Sequence, residues 1–154
     1  MPIFFSYTPE RLFKRLVKEF TAFCSSPSED GLLSVIFPLN QLREWLCPGR
    51  NELERIKKKP SPNRTAAEQL YLRLENLDEF EYVRSLFNQA KHAEYRGKPL
   101  THRMGQLHGA RCGMMRCGDS FGVTHFTVDG KEVRDFLWPV YKEYFDYFSR
   151  SSVG

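Results

Sequence analysis

The stretch that decides the fold is Thr8–Cys24, TPERLFKRLVKEFTAFC. Its apolar residues recur every three or four positions, and arginine and lysine occupy the opposite side. Thr8 is a good helix N-cap, and Pro9 suits the first helical position because an N–H would have no helical partner there. The stretch therefore predicts an amphipathic helix that packs one side into a helical core.

The same spacing predicts four further helices. They cover residues 32–46, 65–74, 78–96 and 135–149. The first of these contains Pro38, which we expect to kink it or divide it. Asp78 and Glu81 form a capping-box pair at the start of the helix predicted over 78–96. The basic stretch 51–65 predicts a surface loop after a short helical stub. The last helix is the most aromatic, which indicates burial on two sides, within one bundle or at a dimer interface.

Residues 97–120 are rich in glycine, histidine, arginine and methionine without a helical period, which predicts an irregular loop. The next segment alternates between apolar and polar residues and contains Asp129-Gly130, a strong signal for a β-hairpin. The sequence therefore predicts one mainly all-α domain over residues 1–154. It is a helical bundle with a small β-hairpin inserted before the C-terminal helix, and residues 97–133 form the loop and the hairpin.

The composition is that of a globular protein. A chain of 154 residues can bury a core without disulfides, and 41% hydrophobic and 14% aromatic residues exclude a disordered chain. No apolar run approaches the roughly 20 residues of a membrane-spanning helix, and the first residues lack the order of a signal peptide. We therefore expect a cytoplasmic protein that does not enter a membrane. No cofactor is expected, because Gly-rich phosphate loops, nucleophile elbows and His-Glu-x-x-His motifs are absent from the sequence.

The net charge of +4 is unevenly distributed. Bases outnumber acids strongly from Arg84 to Arg116, and acids outnumber bases from Cys117 to Phe148. Such a basic segment favours an anionic partner such as RNA, or the acidic end of a second copy. A solvated basic surface is the alternative. The candidate RNA- or partner-binding residues are Arg96, Lys98, Arg103, Arg111 and Arg116.

One predicted helix carries a file of polar residues at a spacing of four. Arg84, Asn88 and His92 follow one another, with Lys91 beside the histidine. On a helical wheel this file lies away from the expected packing side, which consists of Phe80, Val83, Phe87 and Ala90. An imidazole can act as general acid and base on a ribose 2′-hydroxyl, while Arg or Lys holds the phosphate and Asn orients the ring. These four polar residues are the candidate catalytic set of a metal-independent endoribonuclease. The alternative is the solvated side of an ordinary helix.

The segment Asn88–His92, NQAKH, preceded by Arg84, is similar to the signature of the HEPN superfamily (higher eukaryote and prokaryote nucleotide-binding domains). That signature, R-N-x-x-x-H, places an Arg and a His on one helix of an all-α bundle. Asn88 and His92 match it, and Phe87 stands in place of the Arg, so that the basic role falls to Arg84 or Lys91. The resemblance implies an RNA-directed protein, a ribonuclease of a bacterial toxin or phage-defence system, that works as a homodimer with the two motif helices meeting in a cleft.

Three segments also resemble a group of uncharacterised bacterial and phage helical proteins. They are LNQLREWL (Leu39–Leu46), FEYVRSLFNQAKH (Phe80–His92) and VDGKEVRDFL before the last helix. This second resemblance implies a helical fold and a bacterial or phage origin, and no particular activity.

Two other interpretations come from the residues themselves. His108, Cys112, Cys117 and His125 are of types that bind zinc, but their spacings are looser than the tight Cys-x2-Cys pairs of structural sites. As an alternative, the cysteines are small apolar fillers or exposed thiols. The alternative function is a non-catalytic interaction module, an adaptor, inhibitor or complex subunit. It would dock onto a second copy or another protein through the basic residues 84–116 and the aromatic C-terminal helix.

Overall fold

Six α-helices and a three-stranded antiparallel sheet form the described part of the chain, which in this computed structural model comprises residues 7–91, 104–108 and 124–151. The helices are α1 (Pro9–Ser25), α2 (Glu29–Leu46), α3 (Glu52–Lys58), α4 (Ala66–Glu75), α5 (Asp78–Lys91) and α6 (Val133–Ser151). The strands are β1 (Met104–His108), β2 (Thr124–Val128) and β3 (Lys131–Glu132), and a 3₁₀ turn covers Ser61–Asn63. The predicted fold class, a mainly all-α bundle with a small β element before the last helix, is confirmed.

The first two helices pack against each other through the sides that the sequence predicts. Thr8 caps α1, since its Oγ1 accepts a hydrogen bond from the backbone N–H of Arg11 at 3.3 Å. α2 runs without interruption from Glu29 to Leu46, so Pro38 does not divide it. Because proline has no N–H, the carbonyl of Ser34, four residues earlier, loses its usual helical partner. α1 contributes Leu12, Leu16, Phe20 and Phe23 to the core.

α3 is the short helical stub that the sequence predicted in the basic stretch after α2, and the 3₁₀ turn lies in the predicted loop that follows it. A capping box begins α4: Thr65 Oγ1 accepts from the N–H of Glu68 at 3.2 Å, and the N–H of Thr65 donates to Glu68 Oε1 at 3.0 Å. The N–H of Thr65 and the ammonium of Lys59 lower the pKa of the buried Glu68 to about 2. These contacts fasten the end of the basic stretch to α4.

The C-terminal helix closes the bundle. α6 begins at Val133, earlier than the predicted Asp135, and it packs against α1, α4 and α5. The hydroxyl of the fully buried Tyr144 donates to the carbonyl of Leu39 at 2.8 Å, which ties α6 to α2. Burial raises the pKa of Tyr144, so its hydroxyl keeps the proton that it donates. Among the described helices, none combines enough length with enough apolar character to cross a membrane.

The sheet has the strand order β1-β2-β3. The predicted hairpin is confirmed, because Asp129 and Gly130 have φ values of 52° and 80°, the positive values that a two-residue turn of type I′ requires. The prediction of an irregular loop over residues 97–120 is wrong for 104–108, which pair with β2 as strand β1. Gly105 lies opposite Thr127, and a Cβ at this position would approach Thr127 Oγ1 to 2.7 Å. Glycine therefore permits this pairing.

Candidate functional site

The packing side of α5 differs from the predicted one. Phe80, Val83 and Leu86 are buried, whereas Phe87 is half-buried and Ala90 is exposed. The helical wheel placed Ala90 on the core side, but in the structure Leu86 is buried there instead. The core contact of α5 therefore ends before the last turn of the helix. That last turn borders a groove beside α1 and α2.

The three described residues of the polar file have different environments. Asn88 and Lys91 are exposed. Arg84 is partly buried, and its Nη2 lies 3.0 Å from Glu75 Oε1 and 3.6 Å from Glu81 Oε2. Its guanidinium carbon also lies 5.3 Å from the ring centroid of Phe80. The positive charge of Arg84 is therefore already matched by carboxylates of the same chain.

A second arginine, which the sequence did not single out, reaches the same carboxylate. Nη1 of Arg43 lies 2.7 Å from Glu75 Oε2, and its guanidinium carbon is 4.4 Å from the ring centroid of Tyr71 and 4.5 Å from that of Phe80. Burial by itself would raise the pKa of Glu75, but hydrogen bonds from Arg43 and Arg84 outweigh it and lower that pKa. Arg43, Glu75 and Arg84, the arginine–glutamate network, thus join α2, α4 and α5. A signal for this network was present in the sequence, since Arg43 is a charged residue at a position where the helical spacing of α2 predicts burial.

His92, the predicted general acid and base, lies outside the described residues. The same holds for the five predicted RNA- or partner-binding residues and for two of the four zinc candidates, namely Arg96, Lys98, Arg103, Arg111, Arg116, Cys112 and Cys117. Of the predicted catalytic set, the structure therefore describes the exposed pair Asn88 and Lys91 and the paired Arg84.

The described members of the predicted zinc set lie on the sheet. His125 is fully buried, and its Nδ1 lies 3.5 Å from Arg134 Nη2 and 4.0 Å from Glu132 Oε1. Arg134 Nε in turn donates to Glu132 Oε1 at 2.6 Å. Of His108 only the backbone is described. Across the described ranges, no three His, Cys, Asp or Glu side chains group closely enough to hold a metal ion. His125 therefore belongs to a buried charged cluster, and a zinc site stays a prediction.

α1 and α6 meet along a line of aromatic rings, the aromatic seam, which consists of Phe13, Phe20, Trp138, Tyr141, Phe145 and Phe148. The ring centroids of Phe20 and Tyr141 are 4.3 Å apart, and those of Trp138 and Tyr141 are 5.8 Å apart. Trp138 and Phe145 are nevertheless 53% and 45% exposed. Being seven residues apart, they lie two turns apart on the same side of α6. Two large rings that are held in place by contacts with other rings and remain open to solvent are typical of a protein-binding surface.

Charges of opposite sign flank Trp138 on the exposed side of α6. Asp135 precedes it by three residues and Lys142 follows it by four, and both are exposed. Residues at these spacings are neighbours on a helix surface. Asp135, Trp138 and Lys142 thus place an acid, an aromatic ring and a base in sequence along the exposed side of α6.

No protein-family model, curated protein or solved structure matches the chain.

Proposed function

We propose that the protein is a non-catalytic helical interaction module that pairs with a second copy of itself through the aromatic seam. The observation that carries the proposal is that Trp138 and Phe145 are exposed although each ring already packs against other rings of the seam. Rigid aromatic side chains bury a large apolar area while losing little conformational freedom, which makes them strong anchors in protein interfaces. The charges beside Trp138 favour a second copy as the partner. In an antiparallel pair of α6 helices related by a twofold axis near Trp138, each Asp135 would face the Lys142 of the other copy.

Sedimentation equilibrium of wild type and of the double variant Trp138→Ser/Phe145→Ser tests this proposal. We expect a dimer in wild type, and a dissociation constant at least about tenfold higher in the variant, because two anchor side chains are lost. The matched control is Leu33→Ser/Phe37→Ser on α2, which removes side chains that are 52% and 51% exposed away from the seam. A monomeric wild type, or equal dissociation constants for wild type and the seam variant, would contradict the proposal.

A second candidate function is the metal-independent ribonuclease that the HEPN-like motif implies. It is supported by the exposure of Asn88 and Lys91 in the turn that leads to His92. In this function Lys91 holds the phosphate, because Arg84 is paired with Glu75. His92 is the general acid and base and Asn88 orients it. A role in a bacterial toxin or phage-defence system belongs to this candidate.

RNA cleavage in the presence of EDTA tests the ribonuclease. We expect His92→Ala to lose on the order of 10²-fold or more of the rate, since general acid–base catalysis contributes that much. Lys91→Ala should also slow cleavage, and the exposed Lys57→Ala on α3 serves as the control. Wild-type rates in His92→Ala would remove this candidate.

A further inference from the structure

A groove of about 590 Å³ opens between α1, α2 and the last turn of α5. Its apolar lining comes from all three helices and consists of Leu12, Leu33, Phe37, Pro38, Phe87 and Ala90. Leu33 and Phe37 are 52% and 51% exposed, and the ring centroids of Phe37 and Phe87 are 5.9 Å apart. The volume is within the range of about 300–1,000 Å³ that is typical of small-molecule sites.

Two cations line this groove beside its apolar residues. Arg15 lies on α1 and Lys91 on α5, and both line the groove and are exposed. Neither forms an ion pair with an acidic side chain of the described residues, in contrast to Arg84 on the same helix as Lys91. The groove therefore combines an open apolar wall with two positive charges that lack a negative partner within the described chain.

The remaining polar residues of the groove are uncharged. Ser34 and Gln41 contribute side chains to the lining. The carbonyl of Ser34 lacks its helical partner because Pro38 has no N–H. Acidic side chains do not occur among the lining residues of the groove. The ligand that fits such a lining has an extended apolar part and an anionic head.

We propose that the groove binds an aliphatic carboxylate with a long or medium-length chain. The hydrocarbon chain lies on Phe37, Phe87 and Leu33, where its burial from water supplies most of the affinity. Arg15 and Lys91, the two cations of the lining, attract the carboxylate, and a charge-assisted hydrogen bond orients it. This site is separate from the aromatic seam, which lies between α1 and α6.

Isothermal titration of the full chain with dodecanoate, below the concentration at which it forms micelles, tests the site. We expect saturable binding at one site per chain. Leu33→Asp should abolish it, because the new carboxylate lies on the apolar wall and repels the head group. Arg15→Gln/Lys91→Gln should weaken it about tenfold, since two charge-assisted contacts are removed. Dodecanol, with the same chain and no charge, should bind about tenfold more weakly than dodecanoate.

The controls use exposed residues that do not line the groove. Lys14→Gln/Lys18→Gln removes two cations of α1 and should bind dodecanoate as wild type does. Far-ultraviolet circular dichroism and sedimentation equilibrium of Leu33→Asp should be those of wild type, which separates loss of the groove from loss of the fold or of the dimer. Three results would overturn the proposal: no saturable binding by wild type, equal affinity of wild type and both groove variants, or a preference for an acidic amphipathic peptide over dodecanoate.

Discussion

The arginine–glutamate network and the aromatic seam differ in whether their side chains are already paired within the chain. The network joins α2, α4 and α5, and the seam lies between α1 and α6. At the first, the partly buried carboxylate of Glu75 pairs with both Arg43 and Arg84. At the second, the rings of Trp138 and Phe145 pack against neighbouring rings and still face solvent. A polar residue on the surface of a helix is therefore not always available to a ligand, as the pairing of Arg84 with Glu75 shows. A partner is more easily bound at the aromatic seam, where large apolar side chains remain exposed to solvent.

The largest effect is expected at the arginine–glutamate network. Glu75→Ala removes the carboxylate from Arg43, whose side chain is 8% exposed, and leaves that charge almost buried between two rings. We expect a loss of about 2–3 kcal/mol in the free energy of unfolding, at or below the lower end for a broken buried pair because Glu75 itself is partly exposed. Denaturant unfolding monitored by circular dichroism measures it.

The control for that variant is Glu81→Ala on α5. Its carboxylate lies 3.6 Å from Arg84, but its side chain is 61% exposed, so we expect less than about 0.5 kcal/mol. Equal losses of unfolding free energy in Glu75→Ala and Glu81→Ala would mean that the arginine–glutamate network is an ordinary surface ion pair. The network and the aromatic seam would then not differ as described.

Acid should remove part of the same contribution. The pKa of Glu75 is lower in the folded chain than its ordinary value of 4.5, so the stabilisation is present above that pH and is lost as the pH falls through the lowered pKa. The difference in unfolding free energy between wild type and Glu75→Gln should therefore be full at neutral pH and shrink below about 4.5. A difference that is independent of pH would show that Glu75 does not act through its charge.

Two tyrosines of α6 extend the comparison to single hydroxyl groups. Tyr144 donates to the Leu39 carbonyl inside the core. Tyr141 belongs to the seam, and its hydroxyl makes no hydrogen bond with the described residues. Tyr144→Phe should cost about 1 kcal/mol in the free energy of unfolding, the typical net value of one hydrogen bond. Tyr141→Phe should change it by less than about 0.5 kcal/mol, and a larger loss for Tyr141 than for Tyr144 would contradict this assignment.

The smallest effect concerns the charges beside Trp138. Lys142→Asp should raise the dissociation constant of the dimer about threefold, because a rim ion pair contributes roughly 0.5 kcal/mol and like charges repel. The double variant Asp135→Lys/Lys142→Asp restores the opposite pairing and should return the constant toward wild type. Sedimentation equilibrium at low salt gives both values. A double variant weaker than the single one would exclude the antiparallel arrangement.

Much of the fold could be predicted because its signals are local. Helical spacing, the Thr8 cap and the Asp129-Gly130 turn each act within a few residues, and the structure has them where the sequence indicated. β1 was missed because its partner strand begins at Thr124, well beyond it in sequence, and because five residues with a glycine carry little alternation. The core side of α5 was misjudged at its end, where Ala90 has the right phase but is exposed, since no helix within the described ranges covers it.

The candidate site was predictable only in its residue types. The exposure of Asn88 and Lys91 follows from their phase on the helix wheel. The pairing of Arg84 does not, because its partner Glu75 comes from another helix and the choice is made by tertiary packing. The aromatic character of α6 was evident, but which rings stack and which stay exposed depends on where α1 lies against it.

The most direct test of the central claim is the fluorescence of Trp138 as a function of protein concentration. The chain has two tryptophans, so Trp45→Phe leaves Trp138 as the reporter. Pairing through the aromatic seam predicts that its emission shifts to shorter wavelength and that acrylamide quenches it less as the concentration rises through the dissociation constant. Emission and quenching that stay constant while the sedimentation data show a dimer would place the interface elsewhere and contradict the account.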